Sequence, residues 1–437
     1  MNQRNDAIDA LRGFAIIAMI LSGTIAYGDV LPSWMFHAQV PPPNHIFNPL
    51  LPGITWVDLV FPFFLFSMGA AMPLALSKGF SWKKMLTRFI LLAFLAIFFQ
   101  NVKQVWFSEK GIVQWFIPII GFVVLSIVFT AKNQWIKFSV LVIGLAAIHI
   151  APYNSGIHFD LYRCDIIILV LANMALFGSV LWWFTKDKLL ARLSVLPILM
   201  ALLLSKEIEG SWQQMVFEKY FLSWLINPYF LKYLFIIIPG TFVGDWLLKP
   251  ASPNISNNKY QHIFGLLAIL LIVVNVVFLF ERYIILNLFT SIGLVTVLYY
   301  WSIKTNQSFV IKQLLLVGGY LLILGLFFEA FENGIKKDHS TYSYYLVTSG
   351  LAMYAIFAFI SIPSFSKLFA TIGKNPLLAY VLGALMITPL LGLTGLKTYW
   401  DGMNTNAFMG VMKGISFTSL VCLVTFTASK YKWYWKS

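Results

Sequence analysis

The sequence predicts an all-α fold: a polytopic integral membrane helix bundle of about 14 (12–14) transmembrane helices, with N-terminus and C-terminus cytoplasmic. Three observations predict it. The first is balance: 59% of the 437 residues are apolar and only 11% charged, more hydrocarbon than a soluble domain of this length covers with polar surface. The second is rhythm, because apolar stretches of roughly 17–25 residues, the length that crosses a bilayer, recur between short polar clusters. The third is the placement of Lys and Arg, which gather in alternate connections as they do in cytoplasmic loops.

Taken in order, the spans begin near residues 11, 55, 88, 112, 138, 166, 190, 229, 262, 283, 313, 344, 375 and 408. The pieces at 138–152 and 190–205 lie near the lower length limit; without them about twelve spans remain, with the same end-to-end parity. With the N-terminus inside, Arg4 and Arg12, then Lys78, Lys83, Lys84 and Arg88, then Lys132 and Lys137, then Lys186, Lys188 and Arg192 fall in alternate connections. Lys249 and Lys259, Lys304 and Lys312, Lys367 and Lys374, and the tail residues Lys430, Lys432 and Lys436 continue the series. The intervening connections, among them 29–54, 158–165 and 206–219, are longer, poorer in Lys and Arg and richer in acids, which places them outside. The net charge of +14 is thereby an orientation signal; the expected partner is the lipid bilayer, not nucleic acid.

No stretch is long and polar enough for a second, soluble domain, so residues 1–437 read as one membrane domain. The first span is read as retained, since no small-residue cleavage site follows it. Cys164 and Cys422 are the only cysteines, which leaves no disulfide framework and no Cys-based metal site. A G-x-x-x-x-G-K-[ST] loop is absent, which argues against a pump with its own ATPase.

Polar chemistry concentrates in the outward connection 29–54 and the span after it. Five prolines and a glycine between Val40 and Gly53 hold this loop in extended and turn conformations. His37 and His45 both sit there, and an imidazole takes and returns protons, or acts as nucleophile, at neutral pH. Thr55 is placed to cap the second span with Asp58 at its third position, so Asp58 is either a capping acid or a partner of the reacting groups. Pro62 falls inside the helix, where it removes a backbone hydrogen bond and is expected to kink the span. Gln39, Asn44 and Asn48 are nearby candidates for positioning a substrate. No H-x-x-x-H or Cys spacing supplies a third metal ligand, so no metal is expected.

Polar groups inside spans are costly unless paired or wetted, so Gln100, Asn101, Gln114, Asn173, Asp245 and Lys413 are expected to line the interior, and Gln114, Asn375 and Lys413 join Gln39, Asn44 and Asn48 as candidates for binding the substrate. Lys413 near a span's end either snorkels or serves function. Asp9 and Arg12, three apart, are expected to pair along one helix, and Glu329 and Glu332 share a face in the same way. Trp34, Trp56, Trp106 and Trp115 near the outer edge, with Trp82 and Trp135 near the inner, read as interfacial anchors.

The stretch Gly53-Ile-Thr-Trp-Val-Asp58-Leu-Val-Phe61-Pro62-Phe-Phe-Leu-Phe66-Ser-Met-Gly69 resembles the pattern G-L-T-x-x-D-L-V-F-P-x-F-x-F-x-x-G of the heparan-α-glucosaminide N-acetyltransferase-like transmembrane acyltransferases. Arg4-Asn-Asp-Ala-Ile-Asp9-Ala-Leu-Arg12-Gly13 is similar to that family's R-x-x-x-[VI]-D-x-[FL]-R-G opening, and Ile372-Gly373-Lys374-Asn375-Pro376-Leu-Leu-Ala-Tyr380 to its late G-x-N-x-L-x-x-Y segment. The resemblance implies acetyl transfer from cytosolic acetyl-CoA to an amino sugar or glycan beyond the membrane, through an outward histidine a few residues before the glycine of the first motif. The family's histidine lies about five residues before that glycine. Here His45 lies eight before Gly53 and His37 sixteen, although Phe36-His37-Ala38 matches the family's local context better. Ser22-Gly23 stands where the family has an Asn at the end of the first span.

On this reading acetyl-CoA is the acyl donor, a polyanion that stays at the inner face, and Arg12, Lys83, Lys84, Arg88 and Lys374 are candidates for its phosphates. The histidine either carries the acetyl group or acts as general base, with Asp58 as its orienter. The short loops suit a bacterial inner membrane with the active loop facing the periplasm, and a homodimer is left open. The alternative is a multi-span transporter or flippase for a sugar or lipid-linked intermediate, which predicts an internal repeat; Pro62 and Pro239-Gly240 correspond only loosely.

Overall fold

The computed structural model describes residues 5–218, 224–249 and 260–436; Arg4, Lys219 and Lys259, used above, lie outside them. The described residues form helices joined by turns and loops, with no strand among them. In chain order the helices are α1 Asp6–Ser22, α2 Trp56–Leu76, α3 Trp82–Asn101, α4 Val113–Thr130, α5 Gln134–His149, α6 Ile166–Thr185, α7 Leu189–Ser205, α8 Trp212–Glu218 and α9 Leu234–Leu248. There follow α10 Gln261–Phe280, α11 Ile284–Lys304, α12 Phe309–Phe331, α13 Tyr342–Ser361, α14 Pro363–Gly373, α15 Pro376–Leu382, α16 Thr388–Leu393, α17 Leu396–Asp401 and α18 Ala407–Lys430. Among the described residues, 11 stretches are long and apolar enough to cross a membrane, so the protein is a polytopic helical membrane protein. A helix lies at every expected span; the two marked as short are α5 and α7, at 16 and 17 residues, and α1 also has 17.

The helix starts follow local chemistry. Asn5 caps α1, Ser81 caps α3, Asn133 caps α5, Ser308 caps α12 and Thr341 caps α13, each side-chain oxygen accepting a first-turn N–H that would otherwise have no partner. Pro363 and Pro376 stand at the first position of α14 and α15, where a missing N–H costs nothing.

The helices gather into two compact units. One comprises α1, α2, α9 to α14 and the first turns of α18 up to Gly414. Its centre is α13: 94% of its apolar window is buried, against 22% for α11, whose outer face is left for lipid. Without a hydrophobic drive between helices in lipid, close approach depends on small residues. At the α2–α9 contact, a Cβ added to Gly240 would lie 2.6 Å from the Phe66 carbonyl, and at the α1–α14 contact a methyl on Gly13 would overlap the Phe369 carbonyl. Gly373 meets the Asp9 carbonyl from the opposite side of that contact.

At one end of this unit, the Arg12 guanidinium donates to Asp9 at 3.0 Å and lies 3.4 Å from both the Ser67 and Gly373 carbonyls, tying α1 to α2 and α14. The expected Asp9–Arg12 pair is therefore present. At the other end the α1–α2, α10–α11 and α12–α13 connections meet, and the site described below is built there.

The second unit comprises α3 to α8, α15 to α17 and the remainder of α18. Asn101 at the end of α3 donates to the Arg163 carbonyl at 2.9 Å and holds the connection before α6. Between α15 and α16 the ladder widens to a π-turn over Gly383–Ile387. Asn375 donates to the Trp433 carbonyl at 2.8 Å and accepts from the Trp435 N–H at 3.0 Å, seating the Trp435 ring against Phe122 and Phe129.

Candidate functional site

The site begins with the cap of α2. The Thr55 hydroxyl donates to the Phe36 carbonyl at 2.6 Å and accepts the Val57 N–H at 3.2 Å, while Asp58 Oδ2 accepts the Thr55 N–H at 2.9 Å. This is a reciprocal capping box. Oδ2 also accepts the Ala38 N–H at 3.2 Å, which brings the chain around Phe36-His37-Ala38 over the helix end. Oδ1 remains, and His37 Nδ1 lies 2.7 Å from it. Asp58 thus caps α2 with one oxygen and holds the His37 ring with the other. The carboxylate is 2% exposed and the imidazole 39%, so the acid is sealed and the ring faces outward.

A carboxylate on Nδ1 fixes the proton there and leaves the lone pair of a neutral ring on Nε2. Pro62 supports the same geometry from below. It has no N–H for the carbonyl four residues back, which is that of Asp58, and the Tyr344 hydroxyl on α13 donates to this oxygen at 2.7 Å. Gly53 adds a second tie: it sits at φ +119°, a region that favours glycine, and its N–H donates to the Ile335 carbonyl at 2.7 Å.

The α12–α13 connection that receives Gly53 is itself held at several points. Glu332 accepts the Tyr342 and Ser343 N–H groups at 2.6 and 2.8 Å, capping α13. Glu329, buried, pairs with Arg282 and accepts the Ile335 N–H at 3.3 Å. The two glutamates expected on one face therefore do different structural work. Gln39 closes the arrangement: its carboxamide accepts the Asp338 N–H at 2.8 Å and donates to the Asp338 carbonyl. Between Ile335 and Asp338 stands Lys337, whose Nζ lies 3.2 Å from His37 Nδ1 and 3.3 Å from Nε2.

The two histidines are separated by this geometry. His45 Nε2 lies 2.9 Å from the Gly28 N and 3.1 Å from its O, its Nδ1 lies 3.3 Å from the Val40 carbonyl, and its ring packs edge-on against Phe36 and Tyr27. It is a keystone of the loop, with no carboxylate on its ring. Burial in the same aromatic group pushes the Tyr27 phenol up.

The other predicted residues fall in several places. Gln39 spends its carboxamide on Asp338, and Asn375 spends its own on the tail, so neither offers a free amide to a substrate. Asn44 is exposed; Asn48 is exposed and accepts the Leu50 N–H. Gln114, in the second unit, donates to the Gly111 carbonyl at 2.9 Å, and Lys413 is half-buried on α18. Of the candidates for phosphate, Arg12 is committed to Asp9 and near two carbonyls, and Lys374 pairs with Asp6 at 3.0 Å. Lys83 and Lys84 are exposed on the first turn of α3, with Arg88 half-buried one turn further on.

Lys337 and Tyr344 were missed by the sequence reading. A signal for Lys337 existed: Lys336 and Lys337 are adjacent cations in a connection that the charge alternation places outside, against its own rule.

Fold and site together define a polytopic helical membrane protein with a carboxylate-held histidine where three connections of one helical unit meet. The chain matches the model of a family described as a domain of unknown function, DUF5009, over residues 4–247, more than half its length, and it belongs to that family. The matched segment carries His37, Asp58 and Pro62 and ends before Lys337 and Tyr344. A search of curated proteins found no match.

Proposed function

We propose that the protein is a transmembrane acyltransferase that moves an acetyl group from cytosolic acetyl-CoA to an amine or hydroxyl of an extracytoplasmic amino sugar or glycan, in a bacterial inner membrane with the His37 loop facing the periplasm. The observation that carries this reading is the 2.7 Å contact between His37 Nδ1 and the buried Asp58, which leaves Nε2 as the basic atom of a half-exposed ring. The resemblance of the Gly53–Gly69 stretch to membrane acetyltransferases supports it.

In the reaction, Nε2 takes the proton of the acceptor as its nitrogen or oxygen bonds to the thioester carbonyl carbon. The carbon–sulfur bond then breaks, and the thiolate leaves with that proton as free coenzyme A. Asp58 stays ionised and stabilises the imidazolium in between. Lys83 and Lys84, exposed and cationic, suit the nucleotide phosphates better than Arg12, whose guanidinium already has partners.

Purified protein in proteoliposomes, given radiolabelled acetyl-CoA on one side and a panel of amino sugars on the other, is expected to label an acceptor. A well-folded protein that neither binds nor turns over acetyl-CoA overturns the reading in favour of a transporter. Label trapped on His37 after acid-free quenching replaces the general-base role with a covalent one.

A further inference from the structure

We propose that Lys337 is the cation of this site: it neutralises the oxyanion that develops on the acyl carbonyl during transfer. This role rests on the acyl-transfer reading.

The placement of Lys337 is built. Its neighbours in the chain are fixed by Gly53 on Ile335, by the Lys336 N–H on Thr341 Oγ1 at 3.0 Å and by the paired bonds between Gln39 and Asp338. Its Nζ lies at hydrogen-bond distance from both ring nitrogens, and no carboxylate lies within ion-pair distance of it among the described residues. A long flexible cation facing outward gains little by resting against an imidazole, since a lysine free to choose would find water or an acid. The clamp between two connections far apart in sequence holds it there instead.

The charged groups around the imidazole are Asp58 from α2 and Lys337 from the α12–α13 connection. Asp338, next to Lys337, is joined to Gln39 through its main chain, and Tyr344 of α13 reaches only the Asp58 carbonyl. With Nδ1 turned to Asp58, the ammonium lies beside the ring, 3.3 Å from Nε2. When an acyl carbon is attacked beside Nε2, its carbonyl oxygen takes up negative charge within reach of the same ammonium, whose three donors serve it as a preorganised electrophile.

Turnover in proteoliposomes tests this. In the acetyl-transfer assay Lys337→Met is expected to lower kcat by about 10²–10³-fold with the acceptor KM little changed, and Lys337→Arg to recover much of it. Transfer by wild type with undiminished kcat in the Met variant overturns the proposal. A folded wild type that binds no acetyl-CoA and transfers nothing refutes the acyltransferase reading itself, and this role with it.

Discussion

The Tyr344 hydroxyl donates to the Asp58 carbonyl at 2.7 Å, and it does so because Pro62 cannot. A proline inside a helix frees the carbonyl four residues before it, and a buried carbonyl without a donor costs about 1–3 kcal/mol. Tyr344→Phe should therefore destabilise the protein by about that amount. In a Pro62→Ala background the restored N–H takes over, and the same change should cost much less. A double-mutant cycle on thermal unfolding in detergent measures the coupling; strictly additive losses would separate the two residues.

Asp58 divides its oxygens between the cap of α2 and His37. Asp58→Asn keeps the shape but removes the charge, and the amide cannot accept from both sides with equal strength. The expected result is a loss in kcat of about 10²–10⁴-fold, of the size seen when an oriented base is lost. Stability should fall by only about 1 kcal/mol, the worth of a cap. Steady-state kinetics and melting curves on one preparation test the split, and full activity in the Asn variant contradicts the role of Asp58 as orienter.

The α1–α14 contact depends on Gly13 and Gly373. Gly13→Ala places a methyl against the Phe369 carbonyl, a backbone atom that cannot rotate away, and should cost at least about 1–3 kcal/mol. A melting temperature equal to wild type would mean that the helices separate without penalty.

Cys164 reports the side of the membrane on which the α5–α6 connection lies. Burial pushes its thiol up, and Asp165 and Asp160 add to the effect, so less thiolate is present at any pH than for a free cysteine. An impermeant maleimide applied to intact cells should label it slowly at neutral pH and faster as pH rises past the ordinary thiol range of about 8.5. Labelling only after permeabilisation would invert the proposed topology.

Much of this was legible in the sequence because membrane helices and caps are local. The span rhythm placed a start near every long apolar helix among the described residues, and the Thr55–Asp58 spacing announced a cap that the structure contains. The pairing of Asp9 with Arg12 followed from helical spacing alone. What the sequence withheld was long-range. Lys337 reaches His37 from 300 residues away, and Gln39 was read as a substrate group because nothing in its neighbourhood pointed to the Asp338 backbone. His37 was favoured over His45 only by its local Phe36-His37-Ala38 context, for the same reason: the partner that separates them lies on the next helix, and a loop rich in proline hides which ring turns toward it.

The central claim is that His37, and not its neighbour, does the chemistry. Acetyl transfer to an amino sugar should be measured in proteoliposomes for wild type, His37→Ala and His45→Ala, with melting temperatures recorded alongside. The account predicts that His37→Ala, which leaves the buried Asp58 Oδ1 without its donor, still folds at a cost of about 1–3 kcal/mol and loses at least about 10²-fold in turnover. His45→Ala should melt lower and keep a measurable kcat, because its ring holds the loop and nothing else. Turnover that survives in His37→Ala and vanishes in a folded His45→Ala contradicts the account.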